Sequence, residues 1–304
     1  MNKVMVFILI SMLLAGCSST SRTPISHIYA FGDTFSDNGN AYKINKGILA
    51  ETGENAEAMK WFETFYWQGR YTNGPVAVEV LADRLKIDLT DYAVTYANSD
   101  TSNAVDTDFA EFKNTGLLGQ AQKYIASLKG EKADPDALYH IKIGSGAFMN
   151  LYEGDPKPIA DQVIANISEA ISLLAAAGAK QYMVANMHNI SAYPDKSEMD
   201  VSGAKAYQSY FNSTLPVAME KLARELGVKI TIFDYQAVED HIMSNPAEYG
   251  ITNIMDQCLD ATDFTESDTT VCKSPDEYFF WDGGRPTRTV HQILGEAMAE
   301  QLSK

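Results

Sequence analysis

Thr34 lies in the segment Gly32-Asp33-Thr34-Phe35-Ser36-Asp37-Asn38-Gly39-Asn40, directly after a short apolar run from His27 to Phe31. Its hydroxyl is a candidate nucleophile. The β-methyl stiffens χ1 and crowds an attacking path. Threonine nucleophiles rely on a free terminal amine as base, which a residue at this position lacks. Ser36, two residues on, reads as a capping hydroxyl. Near the other end of the chain, Asp282 precedes Arg285 by three residues. Arginine stays protonated in a protein and cannot serve as general base, so these two read as an ion pair. His188, just past a strand end, is the candidate substitute base. His27, His140 and His241 show no metal-ligand spacing, and no metal or other cofactor is implied.

The elements that must position these groups alternate in type. Strands are predicted at His27 to Phe31, Leu89 to Val94, Leu138 to Ile143, Tyr182 to Met187 and Val228 to Phe233. Helices are predicted at Pro75 to Leu85, Leu117 to Leu128, Ile159 to Ala176, Ala204 to Leu226 and Pro286 to Leu302. Strands separated by helices imply an α/β fold with a parallel sheet covered on both faces. Ligands of such sheets sit at the carboxyl ends of the strands, where Gly32, Gly144 and Asn186 fall. Two stretches carry little regular signal, Asn45 to Tyr71 and Met243 to Trp281. Both read as insertions over one rim of the sheet. The aromatics of the first, Trp61, Phe62, Phe65, Tyr66 and Trp67, read as local packing rather than a ligand wall.

The opening segment resembles the first motif of the GDSL, or SGNH, lipases and esterases, Gly-Asp-Ser-Phe-Ser-Asp-x-Gly-Asn. The resemblance extends over the chain from about His27 to the C-terminus. Gly69-Arg70-Tyr71-Thr72-Asn73-Gly74-Pro75 is similar to the block leading into the family's first long helix. Asp91-Tyr92-Ala93-Val94 resembles the start of Asn-Phe-Ala-Val-Gly-Gly-Ala, and Ile143-Gly144 that of the Gly-Ala-Asn-Asp block. Phe280-Trp281-Asp282-Gly283-Gly284-Arg285-Pro286-Thr287 with His291 resembles Trp-Asp-x-x-His-Pro-Thr followed by a second histidine. The resemblance implies a three-layer α/β/α sandwich with a central parallel sheet, the flavodoxin-like SGNH hydrolase fold, over 27–304. It is greatest to the exported bacterial phospholipase and haemolysin-type branch.

It also implies where the family's catalytic groups fall. The serine nucleophile falls at Thr34, the oxyanion glycine at Tyr96, the oxyanion asparagine at Gly146 and the histidine base at Arg285. Asp282 alone keeps its family identity. Loss of one oxyanion donor typically adds about 3–4 kcal/mol to the barrier, although penalties within one catalytic unit do not simply add. His291 stands where the family also has a histidine, and reads as structural.

The chain has 304 residues, 45% of them hydrophobic, and a formal net charge of −16. That suits one globular domain, or two at most. The acidity argues against a nucleic-acid partner, which needs clustered Lys and Arg. Residues 1–16 read as a signal peptide, with Lys3 followed by the apolar run Val4 to Leu14. Leu14-Ala15-Gly16-Cys17 resembles a bacterial lipobox, which implies lipidation of Cys17, a flexible tether over 17–26 and membrane attachment through the acyl chains. Ser18 after the cysteine favours the outer membrane of a bacterial envelope. Removal of the leader takes 24 basic side chains to 23, against 40 acidic. The remaining Cys258 and Cys272 read as one disulfide or as two buried thiols.

Two functions follow. One is a catalytically silent, lipid-anchored member of the family whose altered cleft binds an acyl, anionic or protein ligand. In the anionic case, Arg285 and a helix start after Thr34 hold the charge. The other is an active carboxylic ester hydrolase, a lipase or phospholipase, with Thr34 as nucleophile and a substitute base.

Overall fold

The computed structural model describes residues 25–53, 56–105, 109–148, 155–194, 201–261 and 265–304. The leader, Cys17 and the tether up to residue 24 lie outside the described residues.

The chain opens with β1 (Ile28–Gly32), α1 (Asn40–Thr52), α2 (Ala56–Phe65), α3 (Ala77–Leu85) and β2 (Leu89–Asp91). It continues through α4 (Leu117–Ser127), β3 (Leu138–Lys142), the short α5 (Ser145–Phe148), α6 (Pro156–Ala177) and β4 (Gln181–Ala185). Next come α7 (Val201–Leu226), β5 (Lys229–Phe233) and α8 (Tyr235–Ser244). The last part holds β6 (Asn253–Gln257), β7 (Leu259–Ala261), β8 (Thr269–Val271), β9 (Tyr278–Asp282), β10 (Arg285–Pro286) and α9 (Arg288–Ser303).

The five-stranded sheet runs β2-β1-β3-β4-β5, parallel throughout. Side chains alternate across it. Tyr139 and Ile141 of β3 face a core built with α4, α6 and α7. Leu138 and Met183 face a second core with α3, α8 and α9. Helices on both faces therefore make the fold the α/β/α arrangement expected. Close approach fixes two glycines. A Cβ on Gly32 would lie 2.0 Å from the Lys142 carbonyl oxygen. On Gly295 of α9 it would lie 2.5 Å from the Ala77 carbonyl oxygen of α3.

The two stretches predicted to lack regular structure hold more than expected. Asn45 to Tyr71 contains most of α1 and all of α2. Met243 to Trp281 contains β6, the hairpin β7-β8 and most of β9, and β6 and β9 join β10 in a small sheet ordered β10-β9-β6. A disulfide joins Cys258 to Cys272, across that hairpin's base. Trp61, Phe62 and Tyr66 pack against Cys258, Leu259 and Trp281, so the two stretches form one minor core.

Candidate active site

The site is assembled by turns at the carboxyl ends of β1 and β3. Gln120 holds the end of β1 by a paired contact: Gly32 N–H donates to its Oε1 (2.8 Å), and its Nε2 donates to Gly32 O (2.9 Å). Asp37 then ties the Thr34 turn to the Tyr96 loop. Its carboxylate accepts from the N–H groups of Gly39, Asn40, Ala41 and Thr95 and from the Thr95 hydroxyl. Burial pushes its pKa up, and those backbone donors oppose the shift. Residues 34–36 form a turn, and the helix begins only at Asn40. There is thus no helix start at Thr34, and that half of the expected anion site is absent. Nor does Ser36 cap the helix. Asp37 takes that role because its carboxylate reaches the first N–H groups of α1.

Thr34 Oγ1 accepts a hydrogen bond from Tyr96 N–H at 3.4 Å. The Tyr96 backbone adopts φ 64°, a left-handed conformation that glycine favours and that costs another residue about 1–2 kcal/mol. A donor therefore still points at the Thr34 hydroxyl, held by a residue that the conformation disfavours. Gly146 lies in the first turn of α5 and presents no side-chain donor. A Cβ added there would meet Asn98 Oδ1 at 3.1 Å.

Asp282 and Arg285 form the expected ion pair, with Nη1 3.2 Å from Oδ2. The pair is part of a larger network. The Tyr66 hydroxyl donates to Asp282 Oδ2 (2.7 Å) and Gly284 N–H to Oδ1 (2.9 Å). Arg285 Nη2 donates to the Tyr96 hydroxyl at 3.3 Å, and the guanidinium lies 5.1 Å from the Tyr71 ring centre. Burial disfavours the Arg285 charge, but Asp282, followed by Tyr96, Tyr66 and Tyr71, outweighs it and holds the pKa well above its ordinary value. A group held so firmly protonated takes no proton from a hydroxyl.

His188 lines the same cleft, with its ring centre 4.4 Å from Phe35 and 4.8 Å from Tyr193. Burial, aided by the Lys142 charge, pushes its pKa well below the usual histidine value. Its Nδ1 has no hydrogen-bond partner among the described residues, and no hydrogen bond joins the ring to Thr34. Among the described residues, no carboxylate bonds to the ring to orient it as a catalytic base is oriented. His291 is buried in α9 and its Nδ1 accepts from Ala77 N–H at 3.2 Å, a structural contact between α9 and α3. His27 contacts Thr90, and His241 contacts Asn245. No group of three or more metal-ligating side chains occurs among the described residues.

A buried charged cluster behind Phe35 escaped the sequence reading. Lys142 Nζ sits 4.8 Å from the Phe35 ring centre and 5.3 Å from that of Tyr235. Burial pushes its pKa down, against the pull of Asp33 and Glu239. Glu239 accepts from Asn189 N–H and the Tyr193 hydroxyl, and burial raises its carboxyl to about 7. The one signal in the sequence was a lysine inside an otherwise apolar strand pattern.

In front of Phe35 and His188 opens a cleft of ≈ 1320 Å³. Thr34, Tyr96, Gly146, Asp282 and Arg285 line it together, as do Trp61 and Tyr66. The aromatic stretch is thus both local packing and part of the cleft wall. The GDSL-like lipase/acylhydrolase family model matches residues 28–298. The chain belongs to that family. Among relatives, it is 26% identical over 292 residues to the thermolabile hemolysin of Vibrio parahaemolyticus, covering 91% of this chain and 63% of the hemolysin. The chain therefore spans less than two thirds of that protein. It is 24% identical over 263 residues to the phosphatidylcholine-sterol acyltransferase of Aeromonas hydrophila, covering 85% of this chain and 72% of that one. Among solved structures, the native aryl esterase of M. smegmatis aligns at a TM-score of 0.48 and 14% identity, over 91% of this chain and 98% of the esterase. Thr34, Tyr96, Gly146 and Arg285, where the motif resemblance expects the family's serine, glycine, asparagine and histidine, all line this one cleft.

Proposed function

We propose that this family member is catalytically silent and uses its cleft to bind a ligand rather than to hydrolyse an ester. The observation that carries this reading is the Arg285 network. The cation at the base position is bound to Asp282 and to the Tyr96 hydroxyl, so the family's acid is engaged and no proton acceptor stands there. Tyr96, 37% exposed, lines the cleft beside Thr34, and its phenol would crowd an acyl group approaching that hydroxyl. With Gly146, the cleft also lacks the asparagine donor that would stabilise an oxyanion. The competing reading, Thr34 hydrolysis with His188 as base, has in its favour only that both residues line the cleft. Hydrolysis of short- and long-chain acyl esters by the purified chain from Ser18 onward separates the two readings.

The same proposal places the protein in a bacterial envelope, anchored by acyl chains on Cys17 and most consistent with an outer-membrane address. The support is the order Leu14-Ala15-Gly16-Cys17 at the end of the apolar run. Labelled palmitate should enter the intact chain and be absent from Cys17→Ser. Equal labelling of both would remove the anchor from the account.

A further inference from the structure

The rim of the cleft carries a charge pattern that selects among ligands. Among the described residues, four carboxylates line it, Asp33, Asp256, Asp260 and Asp282, against one guanidinium, Arg285. Arg285 is engaged by Asp282 and Tyr96. Asp282 also accepts from Tyr66 and Gly284. Asp33 accepts from the N–H groups of Phe35 and Ser145. Asp256 and Asp260 differ from these. Both are exposed, and neither has an ion-pair partner among the described residues. Each has one neutral neighbour: Asn253 Nδ2 donates to Asp256 Oδ2 at 3.0 Å and Gln257 Nε2 to Asp260 Oδ1 at 2.7 Å.

These two carboxylates flank Cys258, and the disulfide to Cys272 limits how far the strand between them can move. The apolar part of the cleft adjoins them. Leu259, Ala261, Trp61, Tyr66, Phe35 and Ala97 line the interior. Met255, beside Asp256, is 71% exposed at the rim. The Asn253 side chain accepts from Met255 and Asp256 N–H, and the β6–β9 register shifts at this point, so the strand turns Met255 outward. The cleft thus joins an apolar interior to a mouth with unbalanced negative charge. An anionic head group meets one guanidinium whose charge is already balanced by Asp282. A cationic one meets two carboxylates that have neutral donors but no counter-ion among the described residues.

We propose that the cleft takes a single-chain amphiphile with a cationic head, its chain along the aromatic interior and its ammonium group between Asp256 and Asp260. This rests on the ligand-binding reading above and gives that ligand a chemical class. An ammonium or quaternary ammonium fits because the two carboxylates attract it electrostatically.

The test uses dodecyltrimethylammonium, dodecyl maltoside and dodecanoate, each below its micelle concentration. Each is titrated into the chain from Ser18 onward at low salt and followed by calorimetry. The trimethylammonium compound should bind at least about tenfold tighter than dodecanoate, with the maltoside between, and added salt should narrow the gap. The acidity of the whole protein favours any cation, so Asp256→Asn with Asp260→Asn isolates the rim. The double variant should reduce the preference severalfold, leave maltoside affinity and the melting temperature unchanged, and so assign the selectivity to these residues. Four results would overturn the proposal: no saturable binding of dodecyltrimethylammonium, dodecanoate binding equally well, a preference unchanged in the double variant, or binding of a lysine-rich apolar peptide alone. None of the probes carries an ester. Ester hydrolysis by the protein would therefore sink the silent-cleft reading while leaving this binding result to stand or fall separately.

Discussion

Restoring Thr34→Ser, Tyr96→Gly, Gly146→Asn and Arg285→His together should produce acyl ester hydrolysis at least about 100-fold above that of the unmodified protein, while each change alone produces none. The frame needed for the gain is already in place. Asp37 holds the nucleophile turn against the Thr95–Tyr96 loop, and Tyr96 N–H already points at Thr34 Oγ1. Tyr96→Gly would keep that donor, relieve the left-handed strain at φ 64° and clear the acyl approach. Arg285→His would place an imidazole three residues beyond Asp282, which is fixed by Tyr66 and Gly284. The hardest step is Gly146→Asn, because its Cβ must share space with Asn98 Oδ1, which lies 3.1 Å from the ideal position. Asn98 would have to give by a few tenths of an ångström and loosen its contact with Ser102. Ester turnover by Arg285→His alone at the level of the quadruple variant would show that the other three positions do not close the site.

Asp282→Ala should destabilise the fold by about 3–5 kcal/mol, whereas Arg285→Ala should cost about 1–2 kcal/mol. The asymmetry follows from what each change leaves behind. Without Asp282, the Arg285 charge loses its counter-ion and the Tyr66 hydroxyl, on a residue 7% exposed, loses its acceptor. Without Arg285, Asp282 keeps two donors, and the vacated space opens to the cleft. Urea unfolding of the two variants measures this directly. Equal losses would mean that Asp282 is held mainly by Arg285, and that Tyr66 contributes little.

Periodicity made the sheet legible. The predicted strands at His27 to Phe31, Leu138 to Ile143, Tyr182 to Met187 and Val228 to Phe233 match β1, β3, β4 and β5 to within two residues. β1, β3 and β4 are mostly buried runs rich in apolar residues, while β5, at the sheet edge, is only half-buried and was legible from its alternating Ile230, Ile232 pattern. β2 ends earlier than predicted, at Asp91, because the Asp91 carboxylate accepts from Ala93 N–H and the chain then turns toward Tyr96. α1 and α2 were hidden by composition. Lys43, Lys46 and Gly47 dilute the apolar stripe of α1, and the aromatic run of α2 faces a minor core supplied by residues some two hundred positions away. α8 left a readable trace that went unused, since Asp234 caps it by accepting from Ala237 N–H.

At the site, motif order singled out Thr34, Tyr96, Gly146, Asp282 and Arg285, and the structure brings these five around one cleft. The contacts that define its chemistry were out of reach. Tyr66 to Asp282 and Arg285 to Tyr96 join residues 216 and 189 positions apart. Pairings at such separations depend on how the insertions fold over the sheet, which no local pattern encodes.

The account rests most directly on whether the unmodified cleft turns over an ester. The measurement is hydrolysis of acyl esters of graded chain length by the purified chain from Ser18 onward, beside Thr34→Val. The account predicts rates for both that equal the uncatalysed reaction at every chain length. Saturable hydrolysis by the unmodified chain that disappears in Thr34→Val would contradict it, and would make Thr34 a working nucleophile.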